Sequence, residues 1–409
     1  MSSPTIVKDC LPTDAHQCSV HFHEVTSTFK CRAMKTFFPI FLFVCFGMLS
    51  CKKNKTDDVP LGEPEIEVQT LLNNYEIIWG MDVLPNGDIL FSEKRGRLYL
   101  WQNSTNSVSE ITDLPAIDAG GQGGLLDVRL HPNFAANGWV YISYTSSTPY
   151  YALKLSRFKI INGKVAQLQH VFTAAGPGGH NGSRITFDKN GFLYLSVGEG
   201  PSTGGGPNVS NTNGLNPASS WGKIHRLNDD GTIPSTNPVI PGNAARNSIF
   251  SIGHRNPQGL ALHPQTGEVW SSEHGPMGGD EINIIRSAAN YGWPLYSLGR
   301  NYDGSVISNG HDAPGITAPI YSWTPSIGTC GIAFIKGTKF KSWSGNLLVS
   351  GLASQKLHRC IVRNNAIVGE EIMLQNRGRI RNVIQAPDES IYVSVEGPGR
   401  ILKITAKNP

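Results

Sequence analysis

A chain of 409 residues has room for one large domain or two ordinary ones, and 39% hydrophobic against 16% charged residues places it among globular rather than disordered sequences. The formal charge of +4 is small for that length, and no lysine- or arginine-rich run occurs, which argues against nucleic acid as a partner. The 45 glycines and 26 prolines point to many short strands joined by tight turns, as all-β architectures need.

Residues 37–49, FFPIFLFVCFGML, are too short an apolar run to span a bilayer. They follow Met34-Lys35 and end at Ser50-Cys51. A basic start, a short apolar core and a small residue before cysteine predict a bacterial lipoprotein signal over 34–50, cut before Cys51, whose sulfur is then acylated. A plain secretory signal with an incidental cysteine is the alternative. On the first reading Met34 is the true start, 1–33 is a non-native extension, 51–63 is a polar tether and 64–409 is the folded domain. The protein then belongs to the periplasm or cell envelope of a Gram-negative bacterium, held to the membrane only through lipid on Cys51. Of seven cysteines, Cys330 and Cys360 alone remain in the folded part. They either pair, as an oxidising compartment permits, or stay as buried thiols; spacing does not decide. No CxxC or HExxH occurs, so zinc has no support.

From Trp79 onward one pattern recurs: apolar strand, turn with Pro, Asn, Asp or Gly, second apolar strand. Its copies begin at GMDVLPNGDILFSEKRGRLYLW (80–101), LLDVRLHPNFAANGWVYISYT (125–145), SRITFDKNGFLYLSVGEG (183–200, extended by 222–234), QGLALHPQTGEVWSSEHG (258–275), GIAFIKGTKFKSWSGNLLVSG (331–351, extended by 356–362) and IRNVIQAPDESIYVSVEGPGRILKI (380–404). In runs such as Leu193-Tyr194-Leu195-Ser196-Val197 apolar residues cover both faces, as in strands lying between packed sheets. PNG, DKNG and PQTG are turn sequences. A single sheet cannot bury both faces, whereas a ring of sheets can. The sequence therefore predicts an all-β, six-bladed β-propeller with four-stranded antiparallel blades, in preference to a sandwich or parallel β-helix. Excess length falls in loops 200–220 and 286–322. A strand near Glu65-Ile66-Glu67-Val68 is expected to pair with the last blade and close the ring.

Function in a propeller usually sits in loops at one end of the channel. AGGQGGLL (119–126) sets Gln122 among glycines; alone, it reads as a polar turn residue. GGHNGSR (178–184) sets His180 just before a strand, where it is expected to face the channel and titrate near neutral pH; a histidine in such a loop is more often a turn residue. GHRNPQGL (253–260) gathers Arg255, Asn256 and Gln258 at one strand start, suited to an oxyanion or to bracing a loop. SEHGPMGGDEIN (272–283) leaves the Gly275 and Pro276 carbonyls for a hard divalent cation, with Asp280 and Glu281 either ligands or solvated charges. GRIRN (378–382) puts Arg379 and Arg381 on one strand face, as an anion clamp or as a solvated basic face. No Ser/His/Asp triad, phosphate loop or GxGxxG is present, so nicotinamide chemistry is unsupported.

In this order, these loops resemble the glucose/sorbosone dehydrogenase family, six-bladed propellers that use pyrroloquinoline quinone (PQQ). The similarity runs from about Tyr75 to Ile404 and is carried by GQGGLLDVRLHPNF, HNGSRITFDKNGFLYLSVGE, GKIHRLNDDGTIP, GHRNPQGLALHP, SEHGPMGGDEINIIRSAANYGWP and GRIRNV, with wording closest to the aldose sugar dehydrogenase branch. The resemblance implies that His180 is the general base toward the C1 hydroxyl of an aldose, giving an aldonolactone, and that Arg255 stabilises charge on the quinone oxygen. It implies that Gln122, Asn256, Tyr302, Gly351, Leu352, Ala353, Arg379 and Arg381 contact PQQ. Gly275 and Pro276 would hold the Ca²⁺ linked to the cofactor, and Glu281 and Tyr291 a second Ca²⁺. The electron acceptor would be a membrane quinone or a cytochrome.

The sequence departs from the family twice. Ala353 stands where a lysine is frequent, with Lys356 three residues on. Gly179 stands where the glucose enzyme carries an acid before the base, which implies a more open sugar site. A calcium-dependent propeller lactonase and a non-catalytic glycan- or protein-binding lipoprotein are the competing readings; the cationic loops argue against the first, and the His180 and arginine loops against the second.

Overall fold

The computed structural model describes residues 63–176, 178–201, 211–308 and 310–407. The proposed signal, Cys51 and most of the tether lie outside the described residues. Six four-stranded antiparallel sheets follow one another along the chain. Blade 1 spans Ile78–Val83 through Ser107–Ile111, blade 2 Leu125–Leu130 through Lys164–Ala175, and blade 3 Ile185–Phe187 through Ile249–Ile252. Blade 4 spans Pro257–Leu262 through Tyr321–Trp323, and blade 5 Thr329–Phe334 through Ala366–Gln375. Blade 6 takes three strands from Arg379–Gln385 to Gly399–Ala406, and its outermost strand is Ile66–Tyr75 from the other end of the fold.

That closure is antiparallel, with Ile66 opposite Ala406 and Val68 opposite Ile404. The expected pairing of the first strand with the last blade is therefore found. It pins the ring by pairing the first strand of the fold with the last, so blade 6 cannot peel away without breaking this ladder.

The two-faced apolar strands do what their composition requires. Six apolar clusters fill the seams between neighbouring blades, such as Leu90, Leu98, Val128 and Ile142 between blades 1 and 2, and Ile384, Tyr392, Met81 and Phe91 where blade 6 meets blade 1. Both Cys330 and Cys360 are buried free thiols, which settles the pairing question left open above.

A polar device crosses the same seams. The second strand of each blade carries a serine: Ser92, Ser143, Ser196, Ser272, Ser350 and Ser394. Ser92 donates to the Leu126 carbonyl at 2.5 Å, Ser143 to Ser183 at 2.7 Å and Ser196 to Pro257 at 2.8 Å. Ser272 donates to the Cys330 carbonyl, and Ser350 reaches that of Arg381 at 3.3 Å. Each bond joins a second strand to the start of the next blade, so loops at that end are held in fixed relation. Only Ser394, at the closing seam, has a hydroxyl without a partner among the described residues.

Candidate active site

Acids stand one to three residues beyond four of these serines: Glu93, Glu199, Glu273 and Glu396. All four are buried, and all organise cations or ring nitrogens at the same end of the channel. There, loops from all six blades enclose a cavity of about 650 Å³, within the roughly 300–1,000 Å³ usual for small-molecule sites.

His180 lines this cavity although it is buried. Its backbone bridges Gly200, with N–H···O distances of 2.6 and 3.0 Å. This close approach explains Gly179: a Cβ there would come 2.5 Å from the Gly200 carbonyl oxygen. The ring Nδ1 lies 3.0 Å from Glu199 Oε1, and the other carboxylate oxygen accepts from Trp293 Nε1 at 2.6 Å. A carboxylate facing Nδ1 puts the proton on that nitrogen and leaves Nε2 as the basic one. Near-neutral titration, expected from the sequence, does not hold for this histidine. Burial, helped by the Arg255 charge, pushes His180 down to about 3, while burial pushes Glu199 up to about 7. The imidazole is thus neutral at rest, as a base must be.

Arg255 faces the same cavity. Its guanidinium lies over the Trp293 ring at 5.1 Å, donates to the Gly275 and His274 carbonyls at 3.0 and 3.3 Å, and reaches the Tyr302 hydroxyl at 3.2 Å. Its Nε is buried without a partner among the described residues. Glu273 fixes the backbone here, accepting from the Arg255 N–H and from His254 Nδ1. Trp293 thereby touches both halves of the site, the Glu199 carboxylate and the Arg255 guanidinium.

Gln122, Asn256, Tyr302, Leu352, Ala353, Arg379 and Arg381 all line the cavity, as do Gly275 and Pro276. Tyr302 is 67% exposed, at the rim. Gly351 and Lys356 are not among the lining residues. Arg379 and Arg381 do share a face, but they are not a free clamp: both are paired with Glu396, with Arg381 largely buried and Arg379 exposed. Arg379 Nε donates to one oxygen of Glu396 at 2.9 Å and Arg381 Nε to the other at 2.6 Å. Arg381 also donates to Gln258 at 2.9 Å. Lys94, unnoticed in the sequence, adds a further cation to the wall. Four cations (Lys94, Arg255, Arg379 and Arg381) face one carboxylate, Glu396, so the lining carries three net positive charges. That suits a trianion such as PQQ.

The metal positions differ from each other. Asp280 is not a solvated charge: it is buried, accepting from the Gly275 N–H at 3.0 Å and from Thr329 at 2.9 Å. It holds the turn that presents the Gly275 and Pro276 carbonyls. The Gly275 carbonyl already accepts from Arg255, so a cation there has to share it with a guanidinium. Glu281 and Tyr291 border a small space of about 10 Å³, with Glu273 and His311, that shares Arg255, His274 and Gly275 with the large cavity and has room for about one water-sized sphere. Burial and the Glu273 charge push Glu281 well above the usual carboxylate range, and its neighbour at 3.4 Å is His311 Nε2, an imidazole that burial itself holds below its ordinary range. The Tyr291 phenol is spent on the Ile284 carbonyl (2.5 Å) and the Arg286 N–H (3.0 Å), so only its backbone is left to a metal. No group of three or more His, Cys, Asp or Glu gathers around a point among the described residues, so an ion here would need carbonyls, water or cofactor oxygens besides any carboxylate.

No helix among the described residues is long and apolar enough to cross a membrane. The family described as glucose/sorbosone dehydrogenase matches residues 75–403. The aldose sugar dehydrogenase YliI of Escherichia coli K12 is 34% identical over 355 residues, covering 84% of this chain and 94% of that protein. A crystal structure of the Escherichia coli soluble aldose sugar dehydrogenase in the apo form matches with a TM-score of 0.77 at 32% identity, covering 84% of this chain and all of that one. The PQQ-bound form of aldose sugar dehydrogenase from Streptomyces coelicolor matches with a TM-score of 0.68 at 26% identity, covering 84% and 99%. With a propeller whose channel mouth carries a buried histidine, four cations and this extent of similarity, the chain belongs to the glucose/sorbosone dehydrogenase family.

Proposed function

We propose that the protein oxidises the C1 hydroxyl of aldose sugars to aldonolactones, with PQQ as cofactor and Ca²⁺ as its metal. The observation that carries this reading is the neutral imidazole of His180, backed by Glu199, facing a cavity with three net positive charges. When bound, PQQ supplies a quinone that takes up a hydride equivalent; the chemistry is the cofactor's, and the chain positions it. Lining cations and the amides of Gln122 and Asn256 would hold its carboxylates.

His180 Nε2 takes the C1 hydroxyl proton, and the imidazolium so formed is stabilised by Glu199 through Nδ1. Trp293 keeps Glu199 in place by donating to its second oxygen. Arg255, stacked on Trp293, presents fixed positive charge to an anionic oxygen developing opposite the sugar. Gly275 and Pro276 would offer two hard oxygens to a cofactor-linked Ca²⁺, once Arg255 yields the Gly275 carbonyl. Glu281 and the Tyr291 carbonyl would take a second Ca²⁺, whose charge would offset the repulsion between Glu273 and Glu281. The physiological acceptor belongs to the quinone or cytochrome class, and the lipid-anchored envelope location is part of the same proposal.

The test is reconstitution of the apo-protein with PQQ and Ca²⁺, followed by dye-linked oxidation of a sugar panel. Turnover should need PQQ, and His180→Ala should abolish it while PQQ still binds. Unchanged turnover in that variant overturns the assignment.

A further inference from the structure

Lys94 stands in the turn between the strands Ile89–Glu93 and Arg97–Gln102 of blade 1. Its backbone is pinned on both sides, with N–H to the Ile77 carbonyl and C=O to the Leu125 N–H, each at 2.9 Å. The neighbouring chain packs so closely that a Cβ on Gly124 would lie 2.0 Å from the Lys94 carbonyl oxygen. The root of this side chain is therefore fixed by two blades. Its head is much less committed: Nζ donates to the Ala119 carbonyl at 3.2 Å, and no carboxylate lies within ion-pair distance among the described residues. Arg379 and Arg381, in contrast, are both paired with Glu396. Lys94 borders the same cavity as that cluster; partial burial first, and the Arg381 charge second, pull its ammonium below the ordinary lysine range, against the opposing pull of Glu396 and Glu76. A rigidly rooted cation without a carboxylate partner, bordering a space whose lining is net positive, fits an anion in that space.

We infer that Lys94 is a cofactor-positioning residue that binds a carboxylate of PQQ from the blade 1 side, opposite in sequence to the Arg379/Arg381 cluster. The inference rests on the PQQ reading given above. It is tested by calorimetric titration of wild-type, Lys94→Ala and Lys94→Arg apo-protein with PQQ and, separately, with its trimethyl ester, which keeps the ring and lacks the charges. Wild type should bind PQQ, the Ala variant about 10- to 100-fold more weakly, and the Arg variant within a few-fold of wild type. The ester should bind wild type and the Ala variant alike. Unfolding midpoints should coincide, since the side chain leaves the backbone pins untouched. Equal PQQ affinity in wild type and Lys94→Ala overturns the Lys94 assignment while leaving the cofactor reading intact. An equal loss for the ester also overturns it, since the residue would then act through shape. No PQQ binding by wild type overturns both.

Discussion

Replacing Glu199 by Gln changes one atom behind His180 and tests the proposed base directly. In the native site both carboxylate oxygens are acceptors, one for His180 Nδ1 at 3.0 Å and the other for Trp293 Nε1 at 2.6 Å. An amide has one oxygen and one NH₂, so it can satisfy only one of the two donors. If the oxygen stays with Trp293, the NH₂ faces His180 and stabilises the tautomer whose proton is on Nε2, the nitrogen that must accept. If the oxygen stays with His180, the Trp293 N–H is left unpaired in a buried site, at a cost of about 1–3 kcal/mol. Either way the charge that supports the imidazolium is gone. Loss of a carboxylate behind a catalytic histidine costs roughly 10³–10⁴ in kcat, or about 4–5.5 kcal/mol of barrier. Glu199 does not line the cofactor cavity, so PQQ affinity should stay within about threefold of wild type, a span worth under about 1 kcal/mol. The pH profile adds a second readout. Burial raises Glu199 to about 7 and lowers His180 to about 3, so the first proton taken up as pH falls goes to the carboxylate. Protonated Glu199 can no longer accept from both neighbours, and kcat/KM of wild type should decline below about pH 7. The residual activity of Glu199→Gln should be flat from about pH 8 to 5, since the titrating carboxyl is gone and His180 alone titrates lower. Dye-linked kinetics on PQQ-loaded protein across that range measure both. A kcat within threefold of wild type, or an unchanged acid limb, refutes the dyad.

Other outcomes follow from the same coordinates. Ser196→Ala should cost about 2–3 kcal/mol in urea unfolding, because the Pro257 carbonyl and the Arg184 N–H both lose a buried partner, whereas Ser394→Ala, whose hydroxyl is unpartnered, should fall within about 0.5 kcal/mol of wild type. Lys223 is fully buried, with its ammonium on the Asn213, Gly214 and Trp221 carbonyls; Lys223→Met should lose about 3 kcal/mol or more and loosen the loop whose Asn211 and Asn213 donate to the Glu199 carbonyl, read by hydrogen exchange. If Glu281 helps hold Ca²⁺, adding the ion at about a hundred times its Kd should stabilise the apo-protein by about 2.7 kcal/mol, and Glu281→Gln should abolish the gain; an equal response in both proteins would remove Glu281 from the metal site.

The ring was legible in the chain because its blades repeat one physical pattern. Two-faced apolar strands such as Leu193–Val197 need a sheet on either side, and the turns between them carry residues suited to a hairpin. The pairing of Ile66–Tyr75 with the last blade could be anticipated for the same reason, since an open ring would leave an apolar edge. The repeated serine, in ILFSE, YISY, LYLSV, VWSSE, LLVSG and IYVSVE, was also written in the sequence, and so were the acids just after it. Those two columns were the available signal for Glu199, Glu273 and Glu396. Their use was hidden because each acid serves a residue from another segment: Glu199 reaches Trp293, 94 positions away, and Glu273 fixes the Arg255 backbone. Lys94 was invisible for a similar reason, since nothing in SEKRGR separates the cation facing the cavity from the exposed Arg95 and Arg97 beside it.

Sequence by itself determined the blade number, the closure and the loops that carry His180, Arg255 and the two arginines of blade 6. These depend on local pattern, and local pattern survives in one dimension. Only the tertiary structure decided the electrostatics of those loops. It made His180 a buried neutral imidazole rather than a near-neutral titrating one, turned Arg379 and Arg381 into partners of Glu396, and buried Asp280 and Glu281. Charge and burial are properties of what surrounds a residue, and in a ring of six blades the surroundings come from the far ends of the chain.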